Sequence, residues 1–250
     1  MNTLGRRAVI VMVSLVAVVA YAAPDFAREK RFAEEIASSP VKGEAVALET
    51  GAGRRFLGLL RLTEKPRAAL VLVHRAGVNP DFGLIGKLRA HLAERKYTTL
   101  SIQMPVLAPD SEAKEYVALF PEAGLRLEAA IAYLRARGIN RIALISHGMG
   151  ARMANDFVAR HPNARLTAWL PLSVSNGRLD SLARVHFPIF DIYAERDSDP
   201  VRLGALGRAE ALRGHRGSKQ AMVYGANHDF AGKEKEVTAL IDQLLTPLVN

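Results

Sequence analysis

Cysteine is absent from the 250 residues of this chain. That excludes disulfides, a thiolate metal site and a lipid-anchored cysteine, so stability has to come from the packed core alone. Metal-binding motifs are missing too. The seven histidines show neither the H-E-x-x-H nor the H-x-x-E-H spacing, so neither a metal nor another cofactor is expected. There are no internal repeats and no low-complexity tracts. Beyond residue 20 no apolar run is long enough to span a bilayer, which takes about 20 residues. The densest basic cluster, Arg213, His215, Arg216 and Lys219, is short and has no aromatic residue interleaved for base stacking. It therefore gives no reason to expect a nucleic-acid partner.

What is present is ordinary globular composition with an unusual start. Apolar residues make up 49% and charged residues 24%, and the length suits one domain with a large core. At the N-terminus Arg6 and Arg7 precede an apolar run from Ala8 to Ala20, and Ala20-Tyr21-Ala22 offers small residues at cleavage spacing. Residues 1–22 read as a secretory signal peptide cut after Ala22, which places the protein in the periplasm or outside the cell. The competing reading is an uncleaved anchor, with membrane association through the N-terminus. Losing Arg6 and Arg7 lowers the formal charge from +9 to +7. Such a basic surface favours anionic lipids or cell-wall polymers, or has no specific partner.

Residues 23–40 form a polar connector in which Phe26, Phe32, Ala33 and Ile36 outline a weak amphipathic helix, stopped by Ser38-Ser39-Pro40. Residues 41–250 form the domain. It opens with an antiparallel hairpin, Glu44–Glu49 and Arg54–Leu62, around Thr50-Gly51-Ala52-Gly53. From Arg67 strands and helices alternate. Expected strands are Ala69–His74, Tyr97–Gln103, Arg141–Ile145, Leu166–Leu172, Pro188–Ala194 and Gln220–Tyr224. Amphipathic helices lie between them, including one around Leu203–Leu212 and a last one carrying Val237, Leu240, Ile241, Leu244 and Leu245. Continuous apolar strands between such helices imply an α/β fold. The sheet is doubly wound and mostly parallel, with about eight strands and helices on both faces. Val106–Pro121 and Asn176–Phe187 are the only lid-like stretches, and neither is long enough for a large cap domain.

One stretch organises the rest. Ile142-Ala143-Leu144-Ile145 runs into Ser146-His147-Gly148-Met149-Gly150 and then into a helical pattern from Ala151 to Arg160. This resembles the nucleophile elbow of the α/β-hydrolase superfamily, whose motif is G-x-S-x-G, and the resemblance covers roughly Val41 to Leu245. Here glycine stands at the nucleophile position. The stretches His74-Arg75-Ala76-Gly77, Asn79-Pro80-Asp81 and Thr99-Leu100-Ser101-Ile102-Gln103-Met104-Pro105 look like those of an uncharacterised bacterial family of secreted, hydrolase-like proteins whose members also tend to lack that serine.

The resemblance implies roles by position. Asp197, in Ile192-Tyr193-Ala194-Glu195-Arg196-Asp197, takes the acid position of a triad, with Asp199 as a fallback. His228, in Gly225-Ala226-Asn227-His228-Asp229-Phe230, takes the histidine position. The backbone N–H groups of Met149 and of Arg75 or Ala76 correspond to an oxyanion hole, with Arg75 where a glycine is common. Ser146, His147 and Ser175 are placed as ligand contacts, and Ser173 and Ser175 as pocket-lining residues or displaced nucleophiles. Glycine removes both the strain of the elbow and the attacking oxygen. Three functions stay open: a pseudo-hydrolase that binds a small molecule or an envelope partner, a weak ester or amide hydrolase using water activated by His228 or a displaced serine, and a tethered structural envelope protein.

Overall fold

The computed structural model describes residues 23–179 and 182–250; the expected signal peptide lies outside them. In chain order the elements are α1 (Phe26–Ala37), β1 (Glu44–Glu49), β2 (Arg55–Arg61), β3 (Ala69–Val73), α2 (Gly83–Glu94), β4 (Thr98–Ile102), α3 (Phe120–Arg135), β5 (Ile142–His147) and α4 (Met149–Arg160). Then follow β6 (Ala168–Leu172), β7 (Phe190–Arg196), α5 (Asp199–Leu203), α6 (Ala205–Leu212), β8 (Lys219–Asn227) and α7 (Glu234–Val249). Short 3-10 turns lie at Glu115–Leu119 and Leu182–Arg184.

The expected architecture is the observed one. Eight strands form one sheet in the order β1-β2-β4-β3-β5-β6-β7-β8. β2 pairs antiparallel with both β1 and β4, and every later pairing is parallel. Strand alternation divides the core between the two faces. On β3 and β5, Ala69, Val71, Val73, Ile142 and Leu144 face a cluster with Leu127 and Ile131 of α3 and Met153 and Phe157 of α4. Leu70, Leu72, Ala143 and Ile145 face the opposite cluster, with Leu84 and Leu88 of α2 and Val237, Ile241 and Leu245 of α7. Both faces being apolar explains why these strands read as unbroken hydrophobic runs.

Two local features depart from the sequence reading. The helix expected around Leu203–Leu212 is α6, and a second short helix, α5, precedes it, separated by Gly204. A Cβ at Gly204 would stand 2.2 Å from the Gly177 carbonyl oxygen, and that close backbone approach is where the chain bends. The polar segment 23–40 is docked on the domain by charged groups. Asp25 caps α1 by accepting from the Arg28 N–H at 2.9 Å. Arg28 donates to the Leu107 carbonyl at 2.6 Å and the Gly77 carbonyl at 2.9 Å. Glu29 pairs with the buried Arg126 at 3.0 Å. Burial raises the Glu29 carboxyl pKa, and Arg126 only partly opposes this.

Candidate active-site crevice

Parallel strands deliver their C-terminal ends to one edge of the sheet, where ligands gather in open α/β folds. Here that edge collects His74 and Arg75 after β3, Gly148 after β5, Ser173 and Ser175 after β6, Asp197 after β7 and His228 after β8.

Gly148 is the tip of the turn between β5 and α4, with φ 57° and ψ −116°. A side chain is rarely tolerated at such a φ without strain. Gly150 is glycine for a packing reason: a Cβ there would lie 2.2 Å from the His74 carbonyl oxygen and 2.7 Å from Val73 Cγ1. The helix therefore approaches β3 as closely as only glycine permits. At Gly148 the neighbours are farther away. A Cβ would meet Arg75 Cβ at 3.1 Å and His228 Nε2 at 3.2 Å. The imidazole thus faces the place from which a nucleophile's oxygen would project.

Behind it His228 Nδ1 donates to Asp197 Oδ1 at 2.7 Å. Asp197 is fixed in turn by the Ser198 N–H at 2.7 Å and by a short hydrogen bond from Ser173 Oγ. Burial works against ionisation of Asp197, but these bonds outweigh it and hold the carboxyl below the usual range. An anionic carboxylate on Nδ1 sets the tautomer that leaves Nε2 free to accept a proton. The structure therefore brings Asp197, His228 and Gly148 together. Asp199 faces Arg202 across 3.6 Å at the start of α5.

Two further histidines hold the crevice in shape. His74 is buried; its Nδ1 donates to the Arg75 carbonyl at 2.7 Å, and its Nε2 accepts the Met104 N–H at 2.9 Å. His147 is also buried and donates from Nε2 to the His228 carbonyl at 2.8 Å. Burial pushes both imidazole pKa values down to about 4, so both rings are neutral near pH 7.

Of the expected ligand contacts, Ser146 is corrected. Its side chain is 0% exposed, and its Oγ accepts the Trp169 indole N–H at 2.9 Å, so it cannot meet a ligand. Ser173 is equally buried and serves Asp197. Ser175 is half-buried, its N–H reaches the Gly148 carbonyl at 3.4 Å, and its Oγ has no partner among the described residues. Met149 opens α4, so its N–H is one of the helix's donors without an intrahelical acceptor.

Arg75 is more constrained than an ordinary loop residue. Its guanidinium pairs with Asp229 at 2.9 Å and lies 5.2 Å from the Phe82 ring centroid. Asp229 was not singled out by the sequence. No periodicity or motif spacing links the loop after β3 to the loop before α7, although adjacency to His228 was a usable hint. Beside Arg75, and next to the elbow rather than over it, is a cavity of 160 Å³ reaching from His147 to Glu234. Among the described residues, no group of three or more His, Cys, Asp or Glu side chains could hold a metal ion.

No protein-family model matches the chain, and no curated protein matches it in sequence. Solved structures do resemble it. A dienelactone hydrolase from Anabaena variabilis superposes with a TM-score of 0.69 at 16% identity, covering 84% of this chain and 99% of its own. An α/β serine hydrolase without a lid from Xanthomonas campestris gives 0.66 at 14% identity, over 84% and 97%. An esterase from Pyrococcus furiosus gives 0.67 at 12% identity, over 84% and 94%. The chain has the α/β-hydrolase fold, and at these identities the likeness shows the fold alone.

Proposed function

We propose that this protein is a secreted pseudo-hydrolase that binds a small molecule or an envelope component in the crevice above the elbow. The observation that carries the reading is Gly148. It occupies the tip of an otherwise complete elbow, with His228 Nε2 aimed at it and Asp197 behind. Without an oxygen at that tip no acyl-enzyme forms by the serine route. The serines nearby do not replace it: Ser146 and Ser173 are buried and committed to Trp169 and Asp197, and the Ser175 Oγ is itself closed off from solvent. Arg75 supports the same reading, because its Cβ crowds the nucleophile position and its head group is tied to Asp229. Cleavage after Ala22 accompanies export on this reading, and sequencing the exported protein should read from Ala23.

A second reading has one observation in its favour. His228 Nε2 is held in the tautomer that accepts a proton, and Gly148 puts no side chain in front of it, where a water could be activated. Assay of the purified mature protein on short acyl esters separates the two. The pseudo-hydrolase reading expects turnover no faster than buffer, unchanged in His228→Ala. Turnover abolished by His228→Ala but kept by Ser146→Ala would replace it with water-mediated hydrolysis.

A further inference from the structure

The cavity beside the elbow has a composition of its own. One wall is the loop after β3 and the start of α2; the other is the loop leading into α7. Two ion pairs bridge the walls like rungs: Arg75 to Asp229 at 2.9 Å and Lys87 to Glu234 at 2.6 Å. The four charged groups sum to zero. Between them the lining is apolar, with Val78, Leu84, Ile85 and Phe82. His147 also lines the cavity, and since its Nε2 is committed to the His228 carbonyl, the neutral ring offers Nδ1 as an acceptor. The volume of 160 Å³ is well below the ~300–1,000 Å³ of pockets for drug-sized ligands.

From this we infer that the cavity binds a small zwitterion with a short apolar side chain, of the α-amino-acid type. The inference rests on the reading that this protein binds rather than turns over a ligand, and places that ligand beside the elbow rather than above it. A net-neutral site with separated charges is matched by a net-neutral ligand with separated charges. A simple anion or cation would displace one partner of one rung and leave the slot with a net charge, whereas a zwitterion displaces Asp229 and Lys87 together, the two more exposed groups and of opposite sign, so that solvent takes both and the slot stays neutral. The more enclosed partner of each sign should dominate, because solvent screens it least. For the cations that is Arg75, with its side chain 32% exposed against 57% for Lys87; for the anions it is Glu234, at 13% against 50% for Asp229. The ligand's carboxylate therefore takes Arg75, whose planar fork suits it. Its ammonium takes Glu234, and its side chain lies against Val78, Leu84 and Ile85. The existing rungs are at least partly exposed pairs, which contribute little to stability, so a ligand can exchange into them.

The test titrates the purified mature protein with L-valine, 3-methylbutanoate and isobutylamine, which share a branched apolar part and differ in charge. Binding is read by calorimetry and by the ring resonances of His147. The expected result is saturable binding of L-valine, at least about tenfold tighter than either singly charged compound, with the His147 resonances moving. Glu234→Gln and Arg75→Met, checked for native circular dichroism, should each weaken L-valine at least about tenfold. Absence of saturable L-valine binding overturns the proposal, as does 3-methylbutanoate binding equally well, or L-valine binding that both variants leave unchanged. None of these results bears on the pseudo-hydrolase reading, which stands or falls on ester turnover.

Discussion

Gly148 and Gly150 lie two residues apart and respond differently to a side chain. Gly150→Ala drives a Cβ into the backbone of His74, so α4 has to move off β3. We expect a loss of about 1–3 kcal/mol or more, measured by urea unfolding followed through the single, buried Trp169. Gly148→Ser meets side chains rather than backbone, and its cost should be the positive-φ strain of roughly 1–3 kcal/mol in a protein that still folds. Arg75→Gly should ease the second substitution by removing the Cβ that stands 3.1 Å from the new one. The sequence made the elbow legible because glycines two apart at the end of an apolar strand mark a tight turn with a helix packed close behind it. Asp197 and His228 came from the resemblance to α/β-hydrolases, through their order along the chain, and not from any pattern in the sequence by itself. It misplaced Ser146, since a strand buried on both faces carries no alternation to show which way a side chain points. It could not reveal the Arg75–Asp229 pair, because nothing local joins those loops.

At the scale of elements, the crevice depends on polar pins. His74 holds the loop bearing Arg75 to the end of β4, and His147 holds the loop bearing His228 to β5. Both imidazoles have folded pKa values near 4, below the ordinary 6.5. The unfolded chain therefore binds protons that the native state refuses between those values. The contribution is fully present above about pH 6.5, shrinks as pH falls towards 4 and changes little below that. Unfolding midpoints in urea measured from pH 7 to pH 4 should fall across that window, and His147→Gln should flatten the decline. The α1 helix is a second pin. Arg28→Ala removes two hydrogen bonds from a charged donor, one of them to the Gly77 carbonyl. The expected cost is about 1.5–3 kcal/mol for the stronger of them, with faster amide exchange at Arg75–Gly77. The helix itself was faintly visible as Phe26, Phe32, Ala33 and Ile36. Its docking was not, because Arg28 and Glu29 carry it, and polar residues in a polar segment read as a solvated face.

Across the whole molecule the architecture was the most legible property. A fully apolar strand such as Ala69–Val73 is intelligible only at the centre of a sheet covered on both sides, and the amphipathic helices between such strands supply the cover. The same fold places the hydrogen-bonded Asp197–His228 pair at the sheet's C-terminal edge with glycine in front of it. On the proposed pseudo-hydrolase reading, Asp197 and His228 would be the acid and base of a hydrolase that has given up its covalent step. The most direct test treats the mature protein and its Gly148→Ser variant with a fluorophosphonate and weighs both intact. We expect no adduct on the native protein and a single adduct at position 148 in the variant, lost again when His228 is changed to Ala. An adduct on a serine of the native protein would contradict that reading, and so would a folded Gly148→Ser variant that stays unlabelled even with Arg75→Gly.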